Sequence, residues 1–388
     1  MWTYKRTDKK KMRVTILGST GSIGRNALKI IRDNRNHFNV VGLSCWEDVD
    51  RLIKQIKEFR PKVVAVKGDE EAEKIKDKRV KVLKGIEGLK EIAHENVDLL
   101  LNAVSGFNGI FATVSAIESG NKIALANKES LVAGGEFIMK VKNRGGEIIP
   151  VDSEHSAVYR LMKGEKKIIR IILTASGGPF LFYSRKKLEK VTVEDALKHP
   201  KWKMGKKISV DSASFMNKAL EVIEAHHLFD MPPEMIDVLI HPEAIVHSMV
   251  ELEDGSVLAH LSTPDMRVPI SFAFGLDNLK TNVKRLDFSS IRNLNFFKPS
   301  GDLLEALNLA YSSIKKGGTS GAILNAGNEV AVQAFLEGRL KFVYILKVVK
   351  EVLKRVKPQP ISDLSSILSA DRMAREEAEK IIKNLEAR

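Results

Sequence analysis

Apolar positions in the first part of the chain follow two alternating patterns. Continuous apolar runs predict buried strands, and the segments between them repeat apolar side chains every third or fourth position, which is typical of helices. Strands are predicted at 13–17, 39–43, 62–66, 97–101 and 121–125, and helices after residue 21 and at 48–59, 70–77 and 108–119. Strands that alternate with helices predict a parallel, doubly wound sheet, within a domain of residues 1–150.

The pattern changes after residue 150. Strands are predicted at 168–174, 207–211, 236–240, 244–252 and 256–262, and helices at 154–162, 192–197 and 215–228. This mixture predicts a central α+β domain with an open sheet at 151–277. Residues 278–300 are irregular and are predicted to be a linker. The helical period then dominates, which predicts a C-terminal helical bundle at 301–388.

Composition agrees with a globular α/β protein of several domains. A chain of 388 residues is too long for one hydrophobic core, and 44% of its residues are hydrophobic. No apolar run approaches the ~18–20 residues of a membrane helix, and the basic start Met1–Arg6 lacks the apolar segment of a secretory signal. The one cysteine, Cys45, excludes an internal disulfide. We therefore expect a cytoplasmic protein without a membrane partner.

The chain carries a formal net charge of +14. Nucleic-acid binding is one interpretation, but the lysines are spread over helical faces such as 54–57 and 340–357, without an arginine-rich tail. Solvated helix faces are therefore the favoured explanation, and no nucleic-acid partner is expected. A positive field also attracts small polyanionic molecules.

A glycine-rich loop joins the first strand to the first helix. Gly18, Gly21 and Gly24 allow a tight turn, and the helix start supplies free N–H groups for a phosphate. The spacing differs from the usual G-x-G-x-x-G, so an ordinary turn is the alternative. Its place after the first strand favours a Rossmann-type dinucleotide site. The segment Ser44–Asp48 carries acids and no base, so the choice between NAD and NADP stays open.

Three acids form a candidate metal site. Asp152 and Glu154 follow an apolar run, and an extended backbone would place both on one side. Glu221, on the helix predicted from 215, is the third candidate. Together they suit Mg²⁺ or Mn²⁺, since hard cations prefer oxygen ligands. Helix capping by Asp152 or Ser153, and a solvated position for Glu221, are the alternatives that the spacing leaves open.

Potential phosphate donors surround these acids in the sequence. Ser176 precedes two glycines after a predicted strand, and Ser212, Asn217 and Lys218 lie close to a helix start. A Gly-Pro turn and a surface lysine are the alternatives. The polar loop at about 199–207 carries Trp202, which either packs within the protein or closes over a ligand as a mobile lid.

Seven short stretches of the sequence, which include these candidate residues, together resemble one family, 1-deoxy-D-xylulose 5-phosphate reductoisomerase. The strings are GSTGSIG, LANKESLV, VDSEHSA, ASGGPF, HPKWKMGKKISVDSASFMNKALEVIEA, HPEAIVHSMV and LNAGNEVAVQAFL. They cover the chain from about Met12 in the family's order. The resemblance implies a homodimeric enzyme that uses NADPH and a divalent cation (Mg²⁺, Mn²⁺ or Co²⁺). It implies isomerisation and reduction of 1-deoxy-D-xylulose 5-phosphate to 2-C-methyl-D-erythritol 4-phosphate, in the non-mevalonate isoprenoid pathway.

The resemblance also implies roles for individual residues. The implied metal ligands are Asp152, Glu154 and Glu221. The implied substrate contacts are Lys128, Ser153, Glu154, Ser176, His199, Trp202, Met204, Ser212, Asn217, Lys218 and Glu221. The implied cofactor contacts are Thr20, Gly21, Ser22, Ile23, Asn127, Glu129 and Gly205. Our own hypothesis is that Lys128 and Glu154 are catalytic and move protons, because a general acid or base is needed beside the reacting carbons.

One segment departs from the family. Its members usually carry Gly-Lys-Asn where this chain has Trp46-Glu47-Asp48, and that lysine meets the 2′-phosphate of NADPH. The change predicts either weaker discrimination against NADH or a different basic residue at this phosphate. A dehydrogenase acting on an amino-acid semialdehyde is the second candidate enzyme. It would need a nucleophilic cysteine, and Cys45 lies in the wrong part of the predicted fold.

Overall fold

The computed structural model describes residues 11–142, 145–164, 167–200, 202, 204–276 and 279–386. Residues 1–10, which include the basic start, lie outside them. The strands are β1 (Met12–Leu17), β2 (Phe38–Cys45), β3 (Val63–Val66), β4 (Lys81–Lys84), β5 (Leu99–Asn102), β6 (Lys122–Leu125), β7 (Glu147–Pro150), β8 (Ile168–Ala175), β9 (Ile236–Ile240), β10 (Val246–Leu252) and β11 (Val257–Leu261).

The helices number sixteen within the described residues. They are α1 (Ser22–Asp33), α2 (Val49–Phe59), α3 (Asp69–Glu73), α4 (Gly85–His94), α5 (Gly109–Glu118), α6 (Lys128–Lys142), α7 (Ser153–Leu161), α8 (Arg185–Leu188), α9 (Val193–Ala196), α10 (Lys206–Ala213), α11 (Met216–Phe229), α12 (Arg267–Ala273), α13 (Gly301–Lys316), α14 (Ser320–Leu336), α15 (Ile345–Arg355) and α16 (Leu364–Glu386). Two 3-10 turns, Pro233–Met235 and Phe342–Tyr344, complete the list.

The chain divides into two compact units. Unit 1 comprises the described residues of Met1–Ser130, Lys140–Ser156 and Asp265–Lys284. Unit 2 comprises those of Leu131–Met139, Ala157–Pro264 and Arg285–Arg388. Each unit is thus assembled from three separate stretches of chain. The predicted domain limits at 150, 277 and 300 remain predictions.

Unit 1 is built on a seven-stranded parallel sheet of order β4-β3-β2-β1-β5-β6-β7. The central strands β1 and β5 are almost entirely buried because helices cover both faces of such a sheet, so their sequences are continuous apolar runs. The predicted doubly wound sheet is confirmed. The pattern missed β4 and α4, since the edge strand β4 has only four residues and places two apolar ones between exposed lysines.

Unit 2 contains a four-stranded mixed sheet of order β11-β10-β8-β9. β10 is antiparallel to β8 and β11, and β9 is parallel to β8. The strand predicted at 207–211 is wrong, because these residues belong to α10. The apolar positions Ile208 and Val210 alternate as in a strand, but Lys207 and Asp211 lie one helical turn apart and form an ion pair of 2.8 Å.

The C-terminal part of unit 2 is helical, as predicted. α14 is its central element and buries most of its side chains, with α13, α15 and α16 packed around it. α16 begins at Leu364, six residues before residue 370, where the helical period of the sequence predicts its start. Asp363 causes the earlier start, since its carboxylate accepts a hydrogen bond from the Ser366 N–H at 2.9 Å and so caps the helix.

Candidate active site

The glycine loop of unit 1 has the geometry of a phosphate-binding turn. Gly18 has a φ of +74°, and a Cβ atom there would lie 2.3 Å from the carbonyl oxygen of Ala103. A Cβ atom at Gly24 would lie 2.4 Å from the Gly18 carbonyl oxygen. Gly21 is the N-cap of α1, so the N–H groups of the first turn, including Ser22 and Ile23, have no partner within the helix. The loop can therefore hold an anion against the sheet.

Side chains at the carboxyl ends of neighbouring strands form hydrogen bonds that connect the loops after β5 and β6. Asn127 follows β6 and donates to the carbonyl oxygens of Val104 and Gly106, both at 2.8 Å. It also donates to Glu129 at 3.0 Å. A Cβ atom at Gly109 would lie 2.3 Å from this amide, so the glycine makes room for it. The predicted cofactor residues Asn127 and Glu129 therefore lie at the carboxyl edge of the sheet, where α/β proteins bind dinucleotides.

Lys128 and Asp152 form a buried ion pair at the same edge of the unit 1 sheet. Lys128 begins α6 after β6, Asp152 follows β7, and their Nζ and Oδ2 atoms are 2.6 Å apart. His155 lies on the other side of Asp152, with Nδ1 and Oδ1 separated by 3.4 Å. Burial opposes ionisation, but Lys128 and His155 outweigh it and hold the pKa of Asp152 well below its usual range. Asp152 is therefore an anion at neutral pH.

The backbone beyond Asp152 is helical rather than extended, which corrects the expected geometry of the two acids. α7 begins at Ser153, and Asp152 caps it: its side chain accepts from the Glu154 N–H at 3.3 Å and its carbonyl oxygen from the Ser156 N–H at 2.8 Å. The capping role named as an alternative is thus confirmed. Ser153 donates a hydrogen bond to the Glu154 carboxylate, so both predicted side chains interact on the first turn of the helix.

The predicted phosphate donors lie in unit 2. Gly178 has a φ of +63°, and a Cβ atom there would lie 2.8 Å from the Ser212 carbonyl oxygen. The glycine turn after β8 therefore contacts the end of α10. Phe215 has a φ of +64° between α10 and α11, so the chain turns sharply before Asn217 and Lys218 on the first turn of α11. This arrangement places polar donors and a helix start within one short stretch of chain.

Glu221 is part of the same α11 cluster. It is 1% exposed, so the alternative of a solvated helix position is wrong. Its carboxylate accepts a hydrogen bond from Asn217 at 2.5 Å and pairs with the Lys218 ammonium. A buried carboxylate with two donors is typical of a ligand or binding group held in one orientation. Asp152 and Glu154 belong to unit 1, so the shared metal site remains a prediction.

The predicted lid is described in part. His199 Nε2 lies 3.3 Å from the Ser176 hydroxyl, and its Nδ1 accepts a hydrogen bond from the backbone N–H of Trp202 at 2.9 Å. Burial lowers the pKa of His199 to about 4, so the imidazole is neutral at pH 7. Met204 is half-buried and Gly205 is the N-cap of α10. Two other lid residues, 201 and 203, lie outside the described residues.

Two features escaped the sequence analysis. His155 directly contacts Asp152, although the sequence showed only that it was near. His247 on β10 lies beside Trp202, with ring centroids 6.3 Å apart, and interacts with Ser262 at 2.9 Å. The sequence analysis noted the string that contains His247, but no periodicity predicts which side chain faces a loop 45 residues away in the sequence. Within the described chain, no helix is long and apolar enough to cross a membrane.

Comparison with known families gives one consistent result. The family model for 1-deoxy-D-xylulose 5-phosphate reductoisomerase matches residues 14–135. The model for the C-terminal domain of that enzyme matches 148–229, and a further model described as DXP reductoisomerase C-terminal domain matches 261–377. The three matches follow one another along the chain and include every site residue that was predicted from the sequence.

Individual relatives agree over almost their full length. The 1-deoxy-D-xylulose 5-phosphate reductoisomerase of Caldanaerobacter subterraneus subsp. tengcongensis is 50% identical over 372 residues, covering 94% of this chain and 97% of the relative. That of Thermodesulfovibrio yellowstonii is 48% identical over 378 residues, covering 95% and 99%.

Solved structures show the same fold. A crystal structure of DOX-P reductoisomerase in complex with NADPH, fosmidomycin and magnesium matches with a TM-score of 0.92 and 38% identity, covering 96% of this chain and 99% of that chain. The Zymomonas mobilis 1-deoxy-D-xylulose 5-phosphate reductoisomerase in complex with NADPH matches with a TM-score of 0.87, also at 38% identity, with the same coverage.

Proposed function

The chain belongs to the 1-deoxy-D-xylulose 5-phosphate reductoisomerase family, and we propose that it carries out the reaction of that family. It isomerises 1-deoxy-D-xylulose 5-phosphate and reduces the product to 2-C-methyl-D-erythritol 4-phosphate, using NADPH and a divalent cation, in the non-mevalonate isoprenoid pathway. One observation carries the proposal. The buried Lys128–Asp152 pair and the Gly18 loop lie at the same carboxyl edge of one sheet, so an acid–base group accompanies a dinucleotide turn.

The residues of the glycine loop fit the pyrophosphate of NADPH. A side chain at Gly18 or Gly24 would clash with Ala103 or with the loop's own backbone, so glycine permits the tight turn that presents N–H groups to the ligand. Thr20, Gly21, Ser22 and Ile23 would bind it through the loop and the first turn of α1. Asn127, Glu129 and Gly205 complete the proposed cofactor contacts. Homologous structures described as NADPH complexes support this assignment.

The donor set also fits a divalent cation. We propose that Asp152, Glu154 and Glu221, the acids that the family resemblance implies, hold Mg²⁺, Mn²⁺ or Co²⁺, since carboxylate oxygens are the ligands that hard cations prefer. Two of these acids already lie within hydrogen-bond distance of a lysine ammonium, so both require a nearby positive charge. A bound cation supplies Lewis acidity, which polarises the substrate ketone and lowers the pKa of its neighbouring hydroxyl.

The chain's own residues bind and orient the substrate. Ser176, Ser212, Asn217 and Lys218 hold its phosphate, remote from the reacting carbons, and so supply binding energy for orientation. Ser153 contacts the sugar backbone. Lys128 and Glu154 donate and accept the protons that move as one carbon–carbon bond breaks and another forms. His199, Trp202 and Met204 close over the bound substrate and exclude water before hydride transfer.

A coupled assay tests the proposal. NADPH absorbance should fall only when 1-deoxy-D-xylulose 5-phosphate and Mg²⁺ are both present, and a chelator should stop the reaction until Mg²⁺ or Mn²⁺ is restored. The exposed Glu234→Gln variant is a control for Glu221→Gln, which should need far more Mg²⁺. Turnover of an amino-acid semialdehyde instead, or salt-sensitive retention on DNA without turnover, would contradict the assignment.

We also propose that the protein is a cytoplasmic homodimer. Within each chain, residues 1–150 would bind the cofactor and residues 151–277 would carry out catalysis. Residues 278–300 would form a linker to a helical domain at 301–388. Support for self-association comes from β11, the last strand of the unit 2 sheet, where Val257 is 50% exposed. Light scattering on a sizing column should give twice the chain mass, and Val257→Lys should shift it toward the monomer. A wild-type mass equal to one chain would contradict the dimer.

A further inference from the structure

The 2′-phosphate of NADPH distinguishes it from NADH, and a protein that selects NADPH must supply a cation there. In Rossmann-type sheets, the residues after the second strand meet the adenosine ribose. In this chain that segment contains Glu47 and Asp48, and neither acid attracts a phosphate. The required positive charge must therefore come from elsewhere in unit 1.

Arg51 lies next to this segment. Asp48 is the N-cap of α2, and its Oδ1 accepts the backbone N–H of Arg51 at 3.0 Å. Its Oδ2 accepts the guanidinium Nε at 2.6 Å. The Nε contact fixes the plane of the guanidinium, and its two terminal nitrogens donate to no other described residue. The Arg51 side chain is 43% exposed, so its outer edge is open to a ligand.

Arg25 supplies a second cation from a different helix. It lies on α1, four residues after the Gly21 cap, and it is exposed. Hydrogen bonds from Arg51 lower the pKa of Asp48 against the opposing effect of burial, and the charges of Arg51 and Arg25 lower it further. Guanidinium groups from both α1 and α2 therefore stabilise the ionised Asp48 carboxylate.

The two arginines lie beside the phosphate loop. The Gly18 N–H donates to the Ser44 hydroxyl at 2.9 Å, and Thr20 Oγ1 lies 3.3 Å from Cys45 Sγ. The end of β2 and the glycine loop are thus in direct contact. A dinucleotide whose pyrophosphate occupies the loop places its adenosine ribose over this strand end.

We propose that Arg51, assisted by Arg25, binds the 2′-phosphate of NADPH and sets the preference for NADPH over NADH. Asp48 orients Arg51 through the Nε contact and leaves the outer guanidinium edge for the phosphate. This inference rests on the NADPH requirement of the proposed function. Arg51, from the first turn of α2, would take the place of the lysine that family members usually carry. An acidic segment at Glu47 and Asp48 is then compatible with a preference for NADPH.

Direct binding measurements on the full-length enzyme test the inference. Dissociation constants for NADPH and NADH would be measured by calorimetry for the wild type, Arg51→Ala, Arg25→Ala and the double variant. Arg51→Ala should weaken NADPH by about 10- to 100-fold, since one charge-assisted contact to phosphate is lost, and should change NADH by less than about twofold. Arg51→Lys should be intermediate, because it keeps charge without the planar fork.

Two controls separate a specific contact from a structural effect. Lys54→Ala removes an exposed positive charge one turn further along α2 and should leave both affinities unchanged. Arg51→Ala keeps the backbone N–H that Asp48 accepts, so the helix cap and the melting temperature should persist. In steady state, KM for NADPH should rise while kcat at saturation stays the same.

Each outcome decides one question. A double variant that binds NADPH as tightly as the wild type overturns the inference, and so does equal weakening of NADPH and NADH. Wild-type protein that binds neither dinucleotide overturns the cofactor assignment itself, and that failure is visible before any arginine is changed.

Discussion

Unit 1 and unit 2 each contain a buried lysine–carboxylate pair, but the two pairs form in different ways. Lys128 and Asp152 come from the ends of two neighbouring strands and meet only when β6 and β7 pair. Lys218 and Glu221 are three residues apart on α11 and meet whenever that helix forms. The unit 1 pair therefore depends on tertiary structure, whereas the unit 2 pair depends on local structure.

Substitutions at the two pairs should therefore have different effects on stability and activity. A change in the Lys128–Asp152 pair affects the sheet edge that also carries the dinucleotide loop. A change in the Lys218–Glu221 pair affects one helix turn and its proposed phosphate contact. Substitutions in unit 1 should therefore reduce both stability and turnover, and those in unit 2 should chiefly alter substrate binding.

The largest effect is expected for Lys128→Met. The variant removes the proposed proton-transfer group, so kcat should fall about 10²- to 10⁴-fold. It also leaves the Asp152 side chain, which is only 11% exposed, with His155 as its remaining described partner, so the free energy of unfolding should fall by about 3–5 kcal/mol. Urea unfolding and steady-state NADPH oxidation measure the two effects. Lys140→Met, an exposed position of the same helix, is the control and should change neither. Full activity in Lys128→Met would show that the pair is structural.

A smaller, more selective effect is expected for Lys218→Met. Glu221 keeps its hydrogen bond from Asn217, so stability should fall by only about 1–3 kcal/mol. Loss of a charged phosphate donor should raise KM for the substrate about 10- to 100-fold with a smaller change in kcat. Lys315→Met on α13 is a matched surface control. Equal losses of kcat in Lys218→Met and Lys128→Met would abolish the distinction between the two pairs.

Gly178→Ala tests whether the unit 2 site also depends on a contact between separate segments. The added Cβ atom would lie 2.8 Å from the Ser212 carbonyl oxygen at a φ of +63°, so the variant should lose about 1–3 kcal/mol of stability and bind substrate more weakly. Gly255→Ala, at a φ of +84° with nothing within 4 Å, separates backbone strain from the clash. Equal melting temperatures in the two variants would show that the Ser212 contact contributes nothing.

The smallest effect concerns pH. Burial lowers the pKa of His199 from 6.5 to about 4. Between these values the unfolded chain binds a proton that the folded chain does not, so stability falls as the pH decreases through this window. His199→Gln should flatten the fall, modestly because the imidazole is only half-buried. Urea unfolding at several pH values measures the difference in slope. An identical slope in the variant would show that His199 titrates normally.

The fold was predictable wherever the pattern reflects burial on one or two sides. The interior strands of unit 1 are continuous apolar runs, and the C-terminal helices have a clear period. The pattern of apolar positions did not predict the edge strand β4. It also wrongly predicted a strand in place of α10, because Ile208 and Val210 have the alternating spacing of a strand. The helical conformation of α10 depends on Asp211, which pairs with Lys207 and accepts a hydrogen bond from Asn328 at 2.7 Å. No local pattern contains that contact.

The candidate site was predictable to the same extent. Asn217, Lys218 and Glu221 share a helix turn, so their spacing places them together. Residue spacing alone could not bring Lys128 to Asp152, because their contact depends on the order of the strands; the family resemblance named both residues. The spacing of Asp152 and Glu154 suggested an extended backbone or a helix cap, and the hydrogen bonds show that Asp152 caps α7.

That cap has a consequence for the durability of the enzyme. The carboxylate on which α7 starts is also the one that Lys128 holds, so a single group organises a secondary-structure element and the proposed chemistry. Fraying of the first turn would disorder the acid that turnover needs. Damage that loosens α7, such as heat or a distant packing defect, should therefore appear as lost activity well before the protein melts.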